Sequence, residues 1–303
     1  MGHLFQGAHY GIQSHATHKR LPHISLGQKE LQRFMAAIGD VTQQRLSYVP
    51  YMRLRVADAL QVVLGDGFAG RVRALVGDRA TGGFTLSAPG DMTTDQQVAL
   101  GTAISHLVGI PNFDDMSSNF YAIFEVRDMD TSDSYLRQAY RMFTLHTDGT
   151  YVEEATDWIL MMKMGEQHAL GGESRVLHLD DWGDLARFSE DPLASHAFDY
   201  KSPPSKNYSR TVKKTTFYQR RGRPCVCFID QFVYPETVQE ANYLSDLSAS
   251  MEGAAATVAL PVNHLLVLNN HFWLHGRAPF VQHPDLRREM MRQRGYFRTG
   301  EVW

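Results

Sequence analysis

Leu145-His146-Thr147-Asp148-Gly149-Thr150 is the stretch from which the fold and function of this sequence can be inferred. His146 and Asp148 stand two positions apart, so on an extended segment their side chains point to the same face. A neutral imidazole and a carboxylate presented together suit a divalent first-row transition metal. A His-x-Asp pattern is short, however, and alone it more often marks a buried histidine followed by a turn aspartate.

His275 is the third candidate ligand, within Trp273-Leu274-His275-Gly276-Arg277. Two histidines and one carboxylate form the facial triad of non-haem Fe(II) oxygenases, which leaves coordination positions open. A hydrolytic Zn²⁺ site is an alternative for the same three side chains. In that case the arginine-rich segment 287–294 would have no role.

The composition is that of a globular protein, with 303 residues of which 43% are hydrophobic and 21% charged. We expect a single domain over residues 1–303, with the histidine-rich residues 1–23 as a mobile arm. A net charge of −3 without a basic cluster argues against a nucleic-acid partner. No apolar run approaches ~18 residues, so we expect no membrane-spanning helix. Cys225 and Cys227 are predicted to be reduced thiols of a cytoplasmic protein, because their spacing on a strand fits a disulfide poorly.

Hydrophobic periodicity divides the sequence into a helical first third and a strand-rich remainder. Helices are predicted from a Ser25 cap to Gly39, over residues 52–64, and from Thr94 to Pro111 with Gln97 in the capping-box position. The segment 158–164 is apolar enough to be a strand buried on both faces. The predicted fold class is therefore α+β, an antiparallel sandwich or a jelly roll (double-stranded β-helix) with helices packed outside, mainly from the N-terminal third.

Two further motifs bear on ligand binding. Gly171-Gly172-Glu173-Ser174 permits a tight turn and presents the Ser174 hydroxyl at the start of a strand, although a plain hairpin is the simpler interpretation. Arg288, Arg292 and Arg294 would share one face of a strand. Such a face suits dicarboxylates, because arginine clamps a carboxylate with two parallel hydrogen bonds. An exposed, salt-bridged edge strand is the alternative.

Taken in order, these motifs resemble the taurine dioxygenase-like branch of the Fe(II)/2-oxoglutarate oxygenases. Longer blocks resemble more closely the glutarate 2-hydroxylase family induced in carbon starvation, and the likeness covers roughly residues 48–297. The blocks are 130–138, 145–154, 160–164, 178–182, 203–207, 229–233, 272–277 and 283–297.

The resemblance implies an Fe(II) site formed by His146, Asp148 and His275. It implies that 2-oxoglutarate, the co-substrate, contacts Ser174 together with arginines of the last strand. The sequence leaves open which of these arginines binds which acid; the division that we favour is Arg288 and Arg294 for 2-oxoglutarate and Arg292 for glutarate.

The reaction implied is hydroxylation of glutarate at C2 to L-2-hydroxyglutarate in glutarate and lysine catabolism. It consumes O2 and releases succinate and CO2. The family also implies a homo-oligomer, either a tetramer or a dimer.

Two alternatives remain open from the sequence. The first is the same oxygenase chemistry on another short carboxylate or a sulfonate. The second is a non-catalytic jelly-roll protein that binds a metal or a carboxylic acid. Retention of all three candidate ligands together with both carboxylate-binding motifs argues against the second.

Overall fold

A computed structural model describes residues 3–114, 117–128, 138–153, 156–202 and 211–298. Two blocks of the resemblance, 130–137 and 203–207, lie outside these ranges. Within the described residues the helices are α1 (Gln28–Ile38), α2 (Gln43–Tyr48), α3 (Pro50–Leu64), α4 (Gly67–Gly77), α5 (Thr94–Val108), α6 (Leu185–Ser189) and α7 (Val238–Gly253).

The described strands mostly follow α5. They are β1 (His3–Gln6), β2 (Tyr10–Ser14), β3 (Pro22–Leu26), β4 (Gly83–Ser87), β5 (Ile110–Pro111), β6 (Ala122–Arg127), β7 (Phe143–His146), β8 (Trp158–Gln167), β9 (Ser174–His178), β10 (Ala197–Lys201), β11 (Thr211–Thr215), β12 (Phe217–Arg220), β13 (Arg223–Val226), β14 (Val233–Tyr234), β15 (Ala256–Val258), β16 (His264–Asn269), β17 (Trp273–Arg277) and β18 (Arg287–Tyr296).

Two sheets form the core. The larger runs β1-β2-β3-β4-β16-β8-β18-β5, with β6 also paired to β18, and the smaller runs β15-β9-β17-β7. All pairings in these two sheets are antiparallel except β3 with β4. Two sheets with helices packed outside them, the N-terminal helices against the larger sheet, are the α+β jelly roll expected from the sequence.

Strands β8 and β16 of the larger sheet pack against the N-terminal helices on one face and against the smaller sheet on the other. Leu160 and Val267 belong to the cluster that packs against the N-terminal helices. Their neighbours Ile159 and Leu266 belong to the cluster shared with β9 and β17 of the smaller sheet. Because a strand alternates its side chains between faces, both strands are buried on two sides, as the apolar run 158–164 predicted.

The prediction that residues 1–23 form a mobile arm is wrong for the described part of that segment. Residues 3–26 form β1, β2 and β3 and extend the larger sheet. Tyr10, Ile12 and Ile24 are buried in the helix-facing cluster, and Arg20 forms an ion pair with Asp181 at 2.6 Å. The alternation of apolar residues in 10–14 and 22–26 is the strand signal that the many histidines obscured.

The helix starts differ from the predicted caps. Ser25 lies in β3 and does not cap α1, whose first residue follows Gly27 without a side-chain cap. The capping box of α5 is formed by Thr93 and Gln96, one residue earlier than predicted. No helix among the described residues has the length and apolar character needed to cross a membrane.

Leu266 tests the packing between the two sheets, because it is fully buried there. We expect Leu266→Ala to lower the free energy of unfolding by about 2–5 kcal/mol, since it removes buried methyl groups and leaves a cavity. The control is Leu54→Ala on α3, where the side chain is 53% exposed and the change should stay within about 0.5 kcal/mol. Urea denaturation of both variants measures the difference, and equal losses would contradict the layer assignment.

Candidate metal centre

His146 and His275 are brought together by the smaller sheet. His275 of β17 pairs directly with His146 of β7, and the centroids of their rings are 4.1 Å apart. The strands approach closely because the next residue is Gly276, where an added Cβ would lie 2.5 Å from the Phe143 carbonyl oxygen. The fold therefore places two imidazoles side by side from distant parts of the sequence.

Asp148 completes the cluster from the turn that follows β7. Its Oδ1 lies 3.8 Å from His146 Nε2 and 3.9 Å from His275 Nε2. The three side chains are only 3%, 7% and 6% exposed for His146, Asp148 and His275. One ligand atom from each lies within 4.8 Å of the others, a spacing that could hold one metal ion.

The turn after β7 is fixed by backbone contacts that set the direction of Asp148. Asn270 accepts a hydrogen bond from the Asp148 amide at 2.9 Å and donates to the Asp148 carbonyl oxygen at 2.9 Å. Asn270 also donates to the Thr156 carbonyl at 2.8 Å. Gly149 then continues at φ 80°, a left-handed conformation that favours glycine. Asn270 was not singled out in the sequence, because its contacts with Asp148 and Thr156 exist only in the folded chain.

The two imidazoles are held in the form that binds metals. His146 Nδ1 donates to the Thr144 carbonyl at 2.8 Å, which leaves Nε2 available as a ligand. Burial lowers the pKa of His146, although Asp148 opposes this. Burial and the neighbouring His146 lower the pKa of His275 well below its usual value. Both rings are therefore neutral near pH 7.

The carboxylate is held in its charged form. Burial alone would raise the pKa of Asp148, but the positive charges of Arg292 and Arg294 bring it far below its usual value. Two neutral imidazole nitrogens and one carboxylate oxygen thus converge from one side of the site. This donor set leaves further coordination positions of a metal available.

The three predicted arginines lie on β18, which is paired on both sides and is not an exposed edge. Arg288 is 5% exposed, and the side chains of Arg292 and Arg294 are 13% and 11% exposed. The interpretation as a solvated, salt-bridged edge strand is therefore excluded.

Arg292 and Arg294 share a carboxylate that the sequence did not indicate. Asp114, which follows β5, lies with Oδ2 3.1 Å from Arg292 Nη2 and 3.8 Å from Arg294 Nη2. Arg292 Nη1 lies 3.2 Å from Asp148 Oδ2. Burial would raise the pKa of Asp114, but Arg292 and Arg294 lower it below its usual value. Arg292 therefore contacts a candidate metal ligand, and Arg294 lies beside Arg292 across Asp114.

Arg288 lies in a different environment. Its Nη1 donates to the Gly172 carbonyl at 3.0 Å, and its guanidinium lies 5.7 Å from the centre of the Phe280 ring. Among the described residues no carboxylate is within ion-pair distance of Arg288, and its Nε has no hydrogen-bond partner. Burial lowers the pKa of Arg288 to about 10, with Glu166 and Glu173 opposing. A buried cation without a carboxylate favours the binding of an anion from outside.

Ser174 and Arg277 lie beside this cation on the smaller sheet. Ser174 of β9 pairs with Arg277 of β17, two residues beyond His275. Paired residues of adjacent strands share a face, and so do residues two apart, so both lie on the His275 face. Arg277, which was not assigned from the sequence, donates to the Gln138 carbonyl at 2.7 Å. Burial and the nearby Arg288 lower the pKa of Arg277 to about 9.

A second histidine cluster is less suited to a metal. His168, His283 and Asp285 also have ligand atoms within 4.8 Å of one another. The two rings, however, are stacked 3.9 Å apart at 9°. Lone pairs of parallel rings do not converge on one ion. The Asp285 amide also donates to His283 Nδ1 at 3.1 Å, which occupies one ring nitrogen.

Comparisons with known proteins identify the family of this chain. The CsiD family matches residues 10–297 of the chain. A glutarate 2-hydroxylase from Citrobacter koseri is 44% identical over 284 residues, which cover 92% of this chain and 87% of that protein.

Solved structures of low sequence identity share the fold. An asparagine oxygenase in complex with Fe(II), 2S,3S-3-hydroxyasparagine and succinate aligns with a TM-score of 0.70 at 15% identity, covering 90% of this chain and 92% of that one. The non-heme iron oxygenase OrfP in complex with Fe and alpha-ketoglutaric acid aligns with a TM-score of 0.67 at 17% identity, covering 90% and 93%. The fold class predicted from the sequence is confirmed.

Asn270 provides a test of the metal centre that leaves its three candidate ligands intact. We expect Asn270→Ala to weaken Co²⁺ binding about 10- to 100-fold, the usual effect of removing a group that orients a ligand. The control is Asn242→Ala at an exposed position of α7, which should bind Co²⁺ like the parent. Calorimetric titration of both variants measures the affinity for Co²⁺. Unchanged Co²⁺ binding by Asn270→Ala would contradict a role of Asn270 in orienting Asp148.

Proposed function

The chain belongs to the CsiD family, and from that membership and its site we propose that it is an Fe(II)/2-oxoglutarate-dependent dioxygenase acting on glutarate. The observation that carries the proposal is the convergence of His146, Asp148 and His275 beside buried arginines. The relative of 44% identity is named glutarate 2-hydroxylase. The family predicted from the sequence is thus confirmed.

The reaction that we propose oxidises two acids with one molecule of O2. Glutarate, 2-oxoglutarate and O2 give L-2-hydroxyglutarate, succinate and CO2, so one oxygen atom enters each organic product. Fe(II), when bound by His146, Asp148 and His275, supplies the means of activating O2 together with 2-oxoglutarate. Neutral imidazoles and an ionised carboxylate fit this ion without loss of protons from the site.

For 2-oxoglutarate, we infer contacts with Ser174, Arg288 and Arg294. Ser174 lies on the face that carries His275, beside Arg277. Arg288 is a buried cation with no carboxylate at ion-pair distance among the described residues, so a bound dicarboxylate would offset its charge. The Gly172 carbonyl already orients the Arg288 guanidinium, which reduces the ordering required on binding.

For glutarate, we infer that Arg292 binds one carboxylate. Its guanidinium contacts the metal-facing Asp148 at 3.2 Å, so an acid held there lies beside the reactive centre. Anchoring one end of a short chain fixes which carbon faces the metal, which is a contribution of orientation. The same arrangement would also accept another short carboxylate or a sulfonate, and a panel of acids distinguishes these substrates.

We also infer a cytoplasmic homo-oligomer, a tetramer or dimer. Support for the compartment comes from Cys225 and Cys227, both of which are free thiols. Support for the assembly comes from family resemblance, and sedimentation of the purified protein measures it.

Turnover with a panel of acids tests the substrate. We expect glutarate to stimulate succinate formation from 2-oxoglutarate more than adipate, taurine or analogues of succinate do. The variants His146→Ala, Asp148→Ala and His275→Ala should each abolish this succinate formation. The measurement is succinate and hydroxy-acid production by chromatography after O2 is admitted to the Fe(II)-loaded protein. Wild-type turnover by Asp148→Ala would contradict the proposed metal site, and a stronger response to taurine would contradict the substrate.

Arg288 tests the co-substrate site separately. We expect Arg288→Met to weaken 2-oxoglutarate binding strongly, because loss of one partner of a buried charge pair costs about 2–5 kcal/mol. Without 2-oxoglutarate the variant should be no less stable than the parent, since it removes an uncompensated buried charge. Arg287→Met, at a side chain 56% exposed and paired with Glu125, is the matched control. Anaerobic titration measures the affinity for 2-oxoglutarate, and thermal denaturation measures the stability. Unchanged 2-oxoglutarate affinity would contradict the assignment of Arg288 to the co-substrate.

A further inference from the structure

Arg292 bridges two carboxylates. Its Nη1 lies 3.2 Å from Asp148 Oδ2 and its Nη2 lies 3.1 Å from Asp114 Oδ2. All three side chains are largely buried, at 13%, 7% and 5% exposure for Arg292, Asp148 and Asp114. A guanidinium beside a site for a divalent cation would repel that cation, and the two flanking carboxylates offset this repulsion.

The two oxygens of Asp148 face different partners. Oδ1 lies 3.8 Å and 3.9 Å from the Nε2 atoms of His146 and His275. Oδ2 faces Arg292 as an ion pair and makes no directed hydrogen bond among the described residues. One oxygen of the carboxylate is therefore directed to the metal position and the other is directed away from it.

We propose that Arg292, anchored by Asp114, is a positioning residue that keeps Asp148 a one-oxygen ligand of the metal. This inference rests on the proposed metal site. A carboxylate freed from Arg292 can turn both oxygens to a metal and so occupy one further coordination position. A chelating co-substrate and O2 together need three coordination positions of the metal. By keeping Asp148 a one-oxygen ligand, Arg292 leaves all three of these positions free.

The same geometry explains how Arg292 can also serve a substrate. Arg292 Nε has no hydrogen-bond partner among the described residues, so a glutarate carboxylate can bind through Nε and Nη2 if it replaces Asp114 at Nη2. That exchange leaves the contact between Nη1 and Asp148 intact. Arg294, with Nη2 3.8 Å from Asp114, remains beside Asp114 as a second cation. Asp114 therefore holds the guanidinium in place until a substrate carboxylate arrives.

The experiment uses the Co²⁺-loaded protein and acetohydroxamate, a chelator that occupies two positions and carries no carboxylate. We expect Arg292→Met to bind Co²⁺ at least as well as the parent, because a nearby positive charge is removed. Its Co²⁺ absorption spectrum should change before any chelator is added. Its affinity for acetohydroxamate should fall about 10- to 100-fold, the range for groups that orient metal ligands.

Three further variants separate positioning from a structural role. Asp114→Asn should shift the spectrum and acetohydroxamate affinity in the same direction but less, since only the anchor is weakened. Arg292→Lys should restore part of both, because a lysine can still donate to Asp148 but cannot bridge two carboxylates. Arg287→Met, on the solvent-facing side of β18, should match the parent. Circular dichroism confirms that each variant is folded.

The outcomes are distinct. A parent-like Co²⁺ spectrum and acetohydroxamate affinity in Arg292→Met, with only glutarate binding lost, would overturn the positioning role and leave Arg292 as a substrate anchor alone. Failure of the unmodified protein to bind Co²⁺ or Fe²⁺ would instead overturn the proposed metal site.

Discussion

The pairing of β17 with β7 is the constraint on which the site depends. It places His275 opposite His146, and the ring centroids are 4.1 Å apart. Asp148 follows on the turn, where Asn270 holds its backbone at both the amide and the carbonyl. Loss of this pairing would separate two candidate ligands that are far apart in the sequence. The larger sheet supports it through the cluster between the two sheets, and the N-terminal helices pack against the other face of the larger sheet.

The distribution of buried charge gives the site its second property. Arg292 and Arg294 are offset by Asp114 and Asp148, whereas Arg288 has no carboxylate at ion-pair distance among the described residues. A buried, uncompensated cation costs free energy in the protein alone. That cost is recovered when an anionic ligand binds. The buried charge is therefore uncompensated at Arg288, where the co-substrate is proposed to bind, and compensated at Arg292, which contacts the candidate metal ligand Asp148.

The sequence predicted those features that depend on local spacing. The shared face of Arg288, Arg292 and Arg294 follows from strand alternation, and the two-sided burial of 158–164 follows from a continuous apolar run. Asn270, Asp114 and Arg277 were missed, because their roles depend on contacts between segments that only the folded chain brings together. The structure of residues 3–26 was also missed, because this histidine-rich segment forms three strands that pair with the larger sheet. A cap such as Ser25 was misplaced because β3 continues to Leu26.

Isotope labelling in ¹⁸O2 measures whether this site couples 2-oxoglutarate oxidation to glutarate hydroxylation, as proposed. The Fe(II)-loaded protein receives both acids under anaerobic conditions and then ¹⁸O2, and the products are analysed by mass spectrometry. Our account predicts one ¹⁸O atom in 2-hydroxyglutarate and one in succinate, with the two products formed in equal amounts. Succinate formed without labelled 2-hydroxyglutarate, at a rate that glutarate does not change, would contradict it.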